Sequence, residues 1–125
     1  MNENEISFKV IGVAIDLHKN LGPGLLESVY ENALAHDLRA AGLIVRQQVS
    51  MPFIYKDVRM DVGFRLDLLV NDKVIIEIKS LDVLAPVHVA QTLTYLKLSG
   101  LKLALLMNFN CTCIKDNIRR FANHL

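Results

Sequence analysis

Apolar residues recur near the N-terminus at helical spacing. Ile6, Val10, Val13, Leu17 and Leu21 follow at steps of four, three, four and four, one face of an amphipathic helix. Gly22-Pro23-Gly24 ends it, because proline lacks the amide and glycine accepts positive φ. A second helix is predicted from about Leu26 to Ala40, with Val29, Ala33, Leu34 and Leu38 inward and Gly42 past its end. The period then changes to two. Val58, Met60, Val62, Phe64, Leu66 and Leu68 alternate with Arg59, Asp61, Gly63, Arg65 and Asp67, which predicts a strand with one buried and one polar face. Val45 to Tyr55 alternates less cleanly, as an edge strand does, and Pro52 suits an edge.

Asn71-Asp72-Lys73 reads as a turn, and Val74 to Lys79 as a short β-branched strand. Pro86 stands where its missing amide costs nothing, at the start of a helix reaching about Ser99. Leu101 to Met107 is nearly continuous in apolar residues, as expected of a strand covered on both sides. Beyond Cys111 the pattern fits either a further strand or a terminal helical segment. The order is thus helix, helix, three strands, helix, strand. Uninterrupted by repeat or linker, it predicts one α/β domain over residues 1–125, with a mixed central sheet flanked by helices.

Composition adds limits. Hydrophobic residues make up 52% and aromatics only 6%, with no Trp, so the core rests on Leu, Ile, Val and Ala. A net charge of +1 neither announces nucleic-acid binding nor excludes it, since a local patch can outweigh the total. Cys111 and Cys113 are too close for a structural disulfide and lack companions for zinc, so they read as free thiols in a reducing compartment. The polar, acidic start is not a signal peptide, and no apolar run approaches the ~20 residues that cross a bilayer. A soluble, cytoplasmic protein with no membrane association is expected.

Three residues carry candidate chemistry. Asp67 lies in the apolar setting Leu66-Asp67-Leu68-Leu69-Val70, and Glu77 and Lys79 project from one side of the strand Val74 to Lys79. Burying a lone charge costs several kcal/mol, roughly, so such groups are paired or bind a cation. Asp67 and Glu77 share a sheet face only if Val70 pairs with Val74 across the three-residue loop Asn71-Asp72-Lys73, whose last position favours a left-handed residue. A two-residue loop sets Asp67 against Ile76 and separates the acids. Two neighbouring carboxylates suit a hard divalent cation, and an adjacent lysine suits charge developing on a phosphate. The alternative is an ordinary surface ion pair between Glu77 and Lys79.

The segment Gly24-Leu25-Leu26-Glu27-Ser28-Val29-Tyr30 resembles the signature of the GxxExxY proteins, small domains of the PD-(D/E)XK nuclease superfamily. The resemblance continues through His18 to Pro23, Gly63 to Leu69, Ile76 to Ser80, His88 to Leu96 and Leu105 to Phe109, in order. It implies a restriction-endonuclease-like α-β-β-β-α-β core, in which Asp67 and Glu77 match the acidic positions and Lys79 the lysine. Glu27 matches a helical carboxylate that adds a metal ligand in related nucleases, giving Glu27, Asp67 and Glu77 as the implied metal set for Mg²⁺ or Mn²⁺. Gln91 and Tyr95 resemble the Q-x-x-x-Y motif of the recombination-exonuclease branch. Leu66 stands where the superfamily's name has proline, a position that varies.

The resemblance implies a metal-dependent nuclease that hydrolyses phosphodiester bonds, with DNA favoured over RNA. The weak net charge and the lack of a separate DNA-binding domain leave room for a homodimer or a protein partner. The alternative is a non-catalytic module that binds nucleic acid or protein through the same cleft. Without the resemblance, His88, Gln91 and Tyr95 form a polar stripe on one helical face, Glu27 is an acid favoured by the helix dipole, and His18 is a capping or surface group. Arg59, Arg65, Arg119 and Arg120 are either phosphate contacts or solvated arginines.

Overall fold

A computed structural model describes the whole chain except Val62, so that alternating apolar position lies outside the described residues. The elements are α1 (Glu3–Leu21), α2 (Glu27–Ala40), β1 (Val45–Tyr55), β2 (Val58–Val70), β3 (Val74–Lys79), α3 (Pro86–Ser99), β4 (Leu103–Asn108), a 3₁₀ turn (Ile114–Asn117) and β5 (Ile118–Ala122). The end of the chain therefore holds both alternatives left open by the pattern, a helical turn and then a strand. The five-stranded sheet runs β1-β2-β3-β4-β5. Only β3 and β4 are parallel, joined through α3, while the remaining neighbours are antiparallel. The mixed sheet flanked by helices is the fold class expected from the sequence. No helix among the described residues is long and apolar enough to cross a membrane.

Helix α1 starts before its first apolar residue because Asn2 and Glu5 form a reciprocal cap. The Asn2 side chain accepts from the Glu5 amide at 2.8 Å, and the Asn2 amide donates to the Glu5 carboxylate at 3.0 Å. Ile6, Val10, Ala14 and Leu17 are buried from α1, and Tyr30, Leu34 and Leu38 from α2. These cover one sheet face against Leu68, Val70, Val74, Ile76, Ile78, Leu103, Leu105 and Met107. On the other face, Leu96 of α3 packs with Leu66, Leu69, Ile75 and Ala104. Strands β3 and β4 are thereby covered on both sides, and each Leu or Ile buried there contributes about 1.5–3 kcal/mol. Two inward assignments fail: Val29 and Leu21 are 41% and 42% exposed, one in the first turn of α2 and the other at the last residue of α1.

The regular alternation of β2 also breaks. Leu66 packs on the α3 side, yet Leu68, two residues later, packs on the α1/α2 side. Strand β1 changes face at the same level, with Val45 in the first cluster and Val49 in the second. The cause is Gln48, whose φ of 50° is left-handed; it lies between the pairs Gln47↔Leu68 and Val49↔Leu66. A left-handed residue interrupts the pleat, so side chains beyond it emerge on the opposite face.

Further out, the ladder slips between Met51 and Phe53, around Pro52. There a Cβ added to Gly63 would lie 1.9 Å from the Met51 carbonyl oxygen, so only glycine permits this backbone approach. Gly63→Ala is expected to destabilise the fold by about 1–3 kcal/mol, read as a lower urea midpoint with an unchanged slope. A midpoint equal to that of the unaltered protein would contradict the close approach.

Candidate metal centre at the fork of the sheet

The hairpin register is the one that the shared-face geometry requires. Val70 pairs with Val74, Leu69 with Ile75 and Leu68 with Ile76, leaving Asn71-Asp72-Lys73 as the loop. The left-handed residues are Asn71 and Asp72 (φ 51° and 55°), not the last position, because the turn closes from the Lys73 amide to the Val70 carbonyl at 3.0 Å. Asparagine and aspartate tolerate that backbone better than lysine. The Asn71 side chain also accepts from the Ile44 amide at 2.8 Å, which ties the turn to the entry of β1.

Pairing between β2 and β3 stops at Leu68, whereas β3 continues beside β4 as far as Lys79↔Asn108. The β1–β2 ribbon thus leaves the sheet at Asp67. In the fork so opened, the Asp67 carboxylate accepts the Ile78 amide at 2.8 Å, replacing the strand that has departed. The Asp67 amide points to Glu77 Oε2 at a long 3.4 Å. Gln48 donates to Glu31 of α2 at 2.5 Å and approaches Asp67 Oδ1 at 3.4 Å. Sequence reading missed Gln48, since nothing in a polar edge strand marks the residue that will take the left-handed conformation.

Glu77 is buried beside Asp67. Its Oε1 has no hydrogen-bond partner among the described residues. Burial, then the neighbouring Asp67 charge, push its carboxyl up from 4.5 to about 9; the Lys79 cation opposes this only weakly. The residues present therefore suit a cation, because a carboxylate with an unused buried oxygen beside a second acid lacks positive charge. Lys79 turns instead toward the half-exposed Glu27, 3.9 Å away. Among the described residues no three His, Cys, Asp or Glu side chains are close enough to form a metal cluster, so Glu27 meets the lysine rather than closing a three-acid set.

Glu27 is placed by the turn before it. Gly22 and Gly24 have φ of 69° and 97°, conformations that suit glycine. Tyr30, fully buried, donates its hydroxyl to the Gly22 carbonyl and accepts from the Leu25 amide at 3.2 Å. Its ring stacks on Phe109 at 4.7 Å. From the strand side, the Ser80 hydroxyl donates to the Leu25 carbonyl at 2.7 Å. The first turn of α2 is thus fastened over the end of β3. His18 is not a surface group: it is buried, with Nε2 3.0 Å from the Phe109 carbonyl oxygen.

Beyond β3, Asn108 holds the chain leading to α3. Its amide accepts from and donates to the Leu81 backbone at 3.0 and 2.9 Å, which fixes the segment after Lys79. On α3, His88 Nδ1 accepts from the Ala85 amide at 2.9 Å and so caps the helix. Gln91 donates to the Tyr95 hydroxyl at 2.9 Å, and the Tyr95 ring stacks on Phe64 of β2 at 4.7 Å. No hydrogen bond or ion pair among the described residues joins Gln91 or Tyr95 to Asp67, Glu77 or Lys79. Of the arginines, Arg59 pairs with Asp61 and Arg120 contacts Asn4. Cys111 and Cys113 are free thiols in the loop after β4.

The raised Glu77 carboxyl has a consequence for stability. Its folded value lies above its unfolded one, so between about 4.5 and 9 the folded chain holds a proton that the unfolded chain has lost. Stability from this group is complete below that window and declines as pH rises through it. Metal-free protein is expected to melt at progressively lower temperature as pH rises toward 9, and Glu77→Gln should flatten much of that slope. An identical slope in the variant would contradict the burial of this carboxyl.

A sequence-family model described as the PD-(D/E)XK nuclease superfamily matches residues 4–121. Comparison with curated proteins and with solved structures gives no match. The matched span runs from α1 into β5 and contains the forked hairpin, the acid pair and the lysine that follows them. The chain belongs to the PD-(D/E)XK nuclease superfamily.

Proposed function

We propose that the protein is a divalent-metal-dependent nuclease of the GxxExxY branch, with Gly24, Glu27 and Tyr30 as its signature positions. The observation that carries this reading is the buried, partnerless Oε1 of Glu77 beside Asp67. Asp67 and Glu77 are the residues to hold Mg²⁺ or Mn²⁺, and Glu27, paired with Lys79 at 3.9 Å, would join them only by releasing that ammonium. A cation bound there supplies Lewis acidity toward a phosphodiester and lowers the pKa of a bound water.

The chain's own residues have separate tasks. Asp67 keeps its position through the Ile78 amide, so its carboxylate is aimed before any ligand arrives. Lys79, with only 21% of its side chain exposed, presents a cation for charge developing on phosphate, and Glu27 steers that ammonium. Gln91 and Tyr95, joined by their hydrogen bond, offer an amide N–H and a phenol O–H to a substrate backbone. The substrate is nucleic acid, with DNA preferred.

The purified chain should cleave a DNA or RNA substrate with Mg²⁺ or Mn²⁺, and a chelator should stop it. Asp67→Asn and Glu77→Gln keep side-chain shape and should abolish both cleavage and calorimetric metal binding. Lys79→Ala should retain metal binding but slow cleavage about 10²-fold or more. Glu27→Ala should have a milder effect. Because Glu77 holds a proton until about pH 9, metal binding at neutral pH should release close to one proton, seen as a buffer-dependent heat. If a broad substrate panel shows no metal-dependent cleavage, and no divalent-ion binding is lost in these variants, the cleft is a non-catalytic binding module.

A further inference from the structure

A broad groove runs along the outer face of α1, away from the acids, reaching the end of α2 at Asp37, Ala40 and Ala41. It is lined from α1 by Glu5, Lys9, Gly12, Val13, Asp16 and Asn20. Phe8 on the same side is 84% exposed. Gly12 lies mid-helix, and a Cβ there would meet nothing within 4 Å. Glycine in a helix interior costs about 1 kcal/mol relative to alanine, and nothing in the chain's own packing uses its missing side chain. Its use is explained if another backbone approaches from outside. Lys9 and Asp16, on either side of Gly12, take part in no ion pair among the described residues.

We propose that this face binds a second copy of the chain, with the two α1 helices antiparallel about a two-fold axis between Gly12 and Val13. The stripe Glu5, Lys9, Gly12, Asp16 advances by four, three and four, the spacing of a helix–helix seam. Reversed on itself about that axis, it sets Lys9 against Asp16 of the second copy and Glu5 against Asn20. Symmetry repeats each contact, so one stripe is complementary to itself. Gly12, beside the axis, lets the backbones approach, and Phe8 on the same exposed face gains cover from the second copy. Charge decides for a second copy over an unrelated partner, because the pattern needs no complement beyond its own reverse. The acid pair on the opposite side of the α1/α2 layer remains open, so the dimer and the proposed activity stand or fall separately.

The test is sedimentation velocity of the full chain over a concentration series. The unaltered protein should show a monomer–dimer equilibrium. Lys9→Asp and Asp16→Lys should each weaken association tenfold or more, about 1.4 kcal/mol, because symmetry places each change at two contacts. Mixed in equal amounts, the two variants should regain association, since one copy then carries only acids and the other only lysines at the paired sites. The double variant with both changes should also dimerise. Circular dichroism and melting confirm that each variant is folded. An unaltered protein that stays monomeric throughout would overturn the proposal. So would a dimer indifferent to either single change, or a mixture of the two that fails to associate.

Discussion

The hydrogen bond from the Ile78 amide to the Asp67 carboxylate occupies the place where two strands part. An amide exposed by the departure of β2 and buried without a partner costs about 1–3 kcal/mol. Asp67 removes that cost with a side chain, and in doing so fixes a carboxylate beside Glu77. The same residue thus closes the sheet and belongs to the candidate site. Gln48 opposite makes the divergence possible, because its left-handed backbone turns the outer ribbon over. Phe64 can then face Tyr95 on α3 while Leu68 faces the other helices. A ribbon of strict alternation would send both residues to one side.

Glu77 sits under opposing demands. Strand β3 is covered on both faces, and its burial serves the core, yet a carboxylate there lacks water and has an acid for a neighbour. Protonation is one relief and a cation is the other. The Lys79 cation is held toward Glu27 and offsets little of the penalty. This local conflict in an otherwise consistent core is the kind expected at functional positions, where stability yields to chemistry. The Gly22–Leu26 turn has a parallel role. It is tied by Tyr30 from one side and Ser80 from the other, so the carboxylate of Glu27 rests on rigid elements.

Much of the architecture was legible along the chain. The helical stripe of α1, the buried run of β4 and the proline at the start of α3 gave their elements, because each rests on local spacing. Errors collected where packing overrides spacing. Val29 and Leu21 satisfy the helical period but lie at the facing ends of α1 and α2, where they stay exposed. Leu68 satisfies the strand period but crosses to the other face, since the period assumes an unbroken pleat.

For the site, the sequence by itself determined the acids, the lysine and their spacing, and hence that an odd hairpin loop alone would place the carboxylates on one face. The family resemblance added Glu27, Gln91 and Tyr95 as candidates. Only the tertiary structure decided that the loop has that register, that β2 leaves β3 at Asp67, and that Glu77 is buried with an oxygen to spare. It also decided that Lys79 turns to Glu27, and that Tyr30, Asn108 and Gln48 fasten the surroundings. The reason is range. Periodicity reports what a residue shares with its near neighbours, whereas desolvation, a forked ladder and a capped loop are set by chain segments distant in sequence, which meet only when the sheet and its helices close on each other.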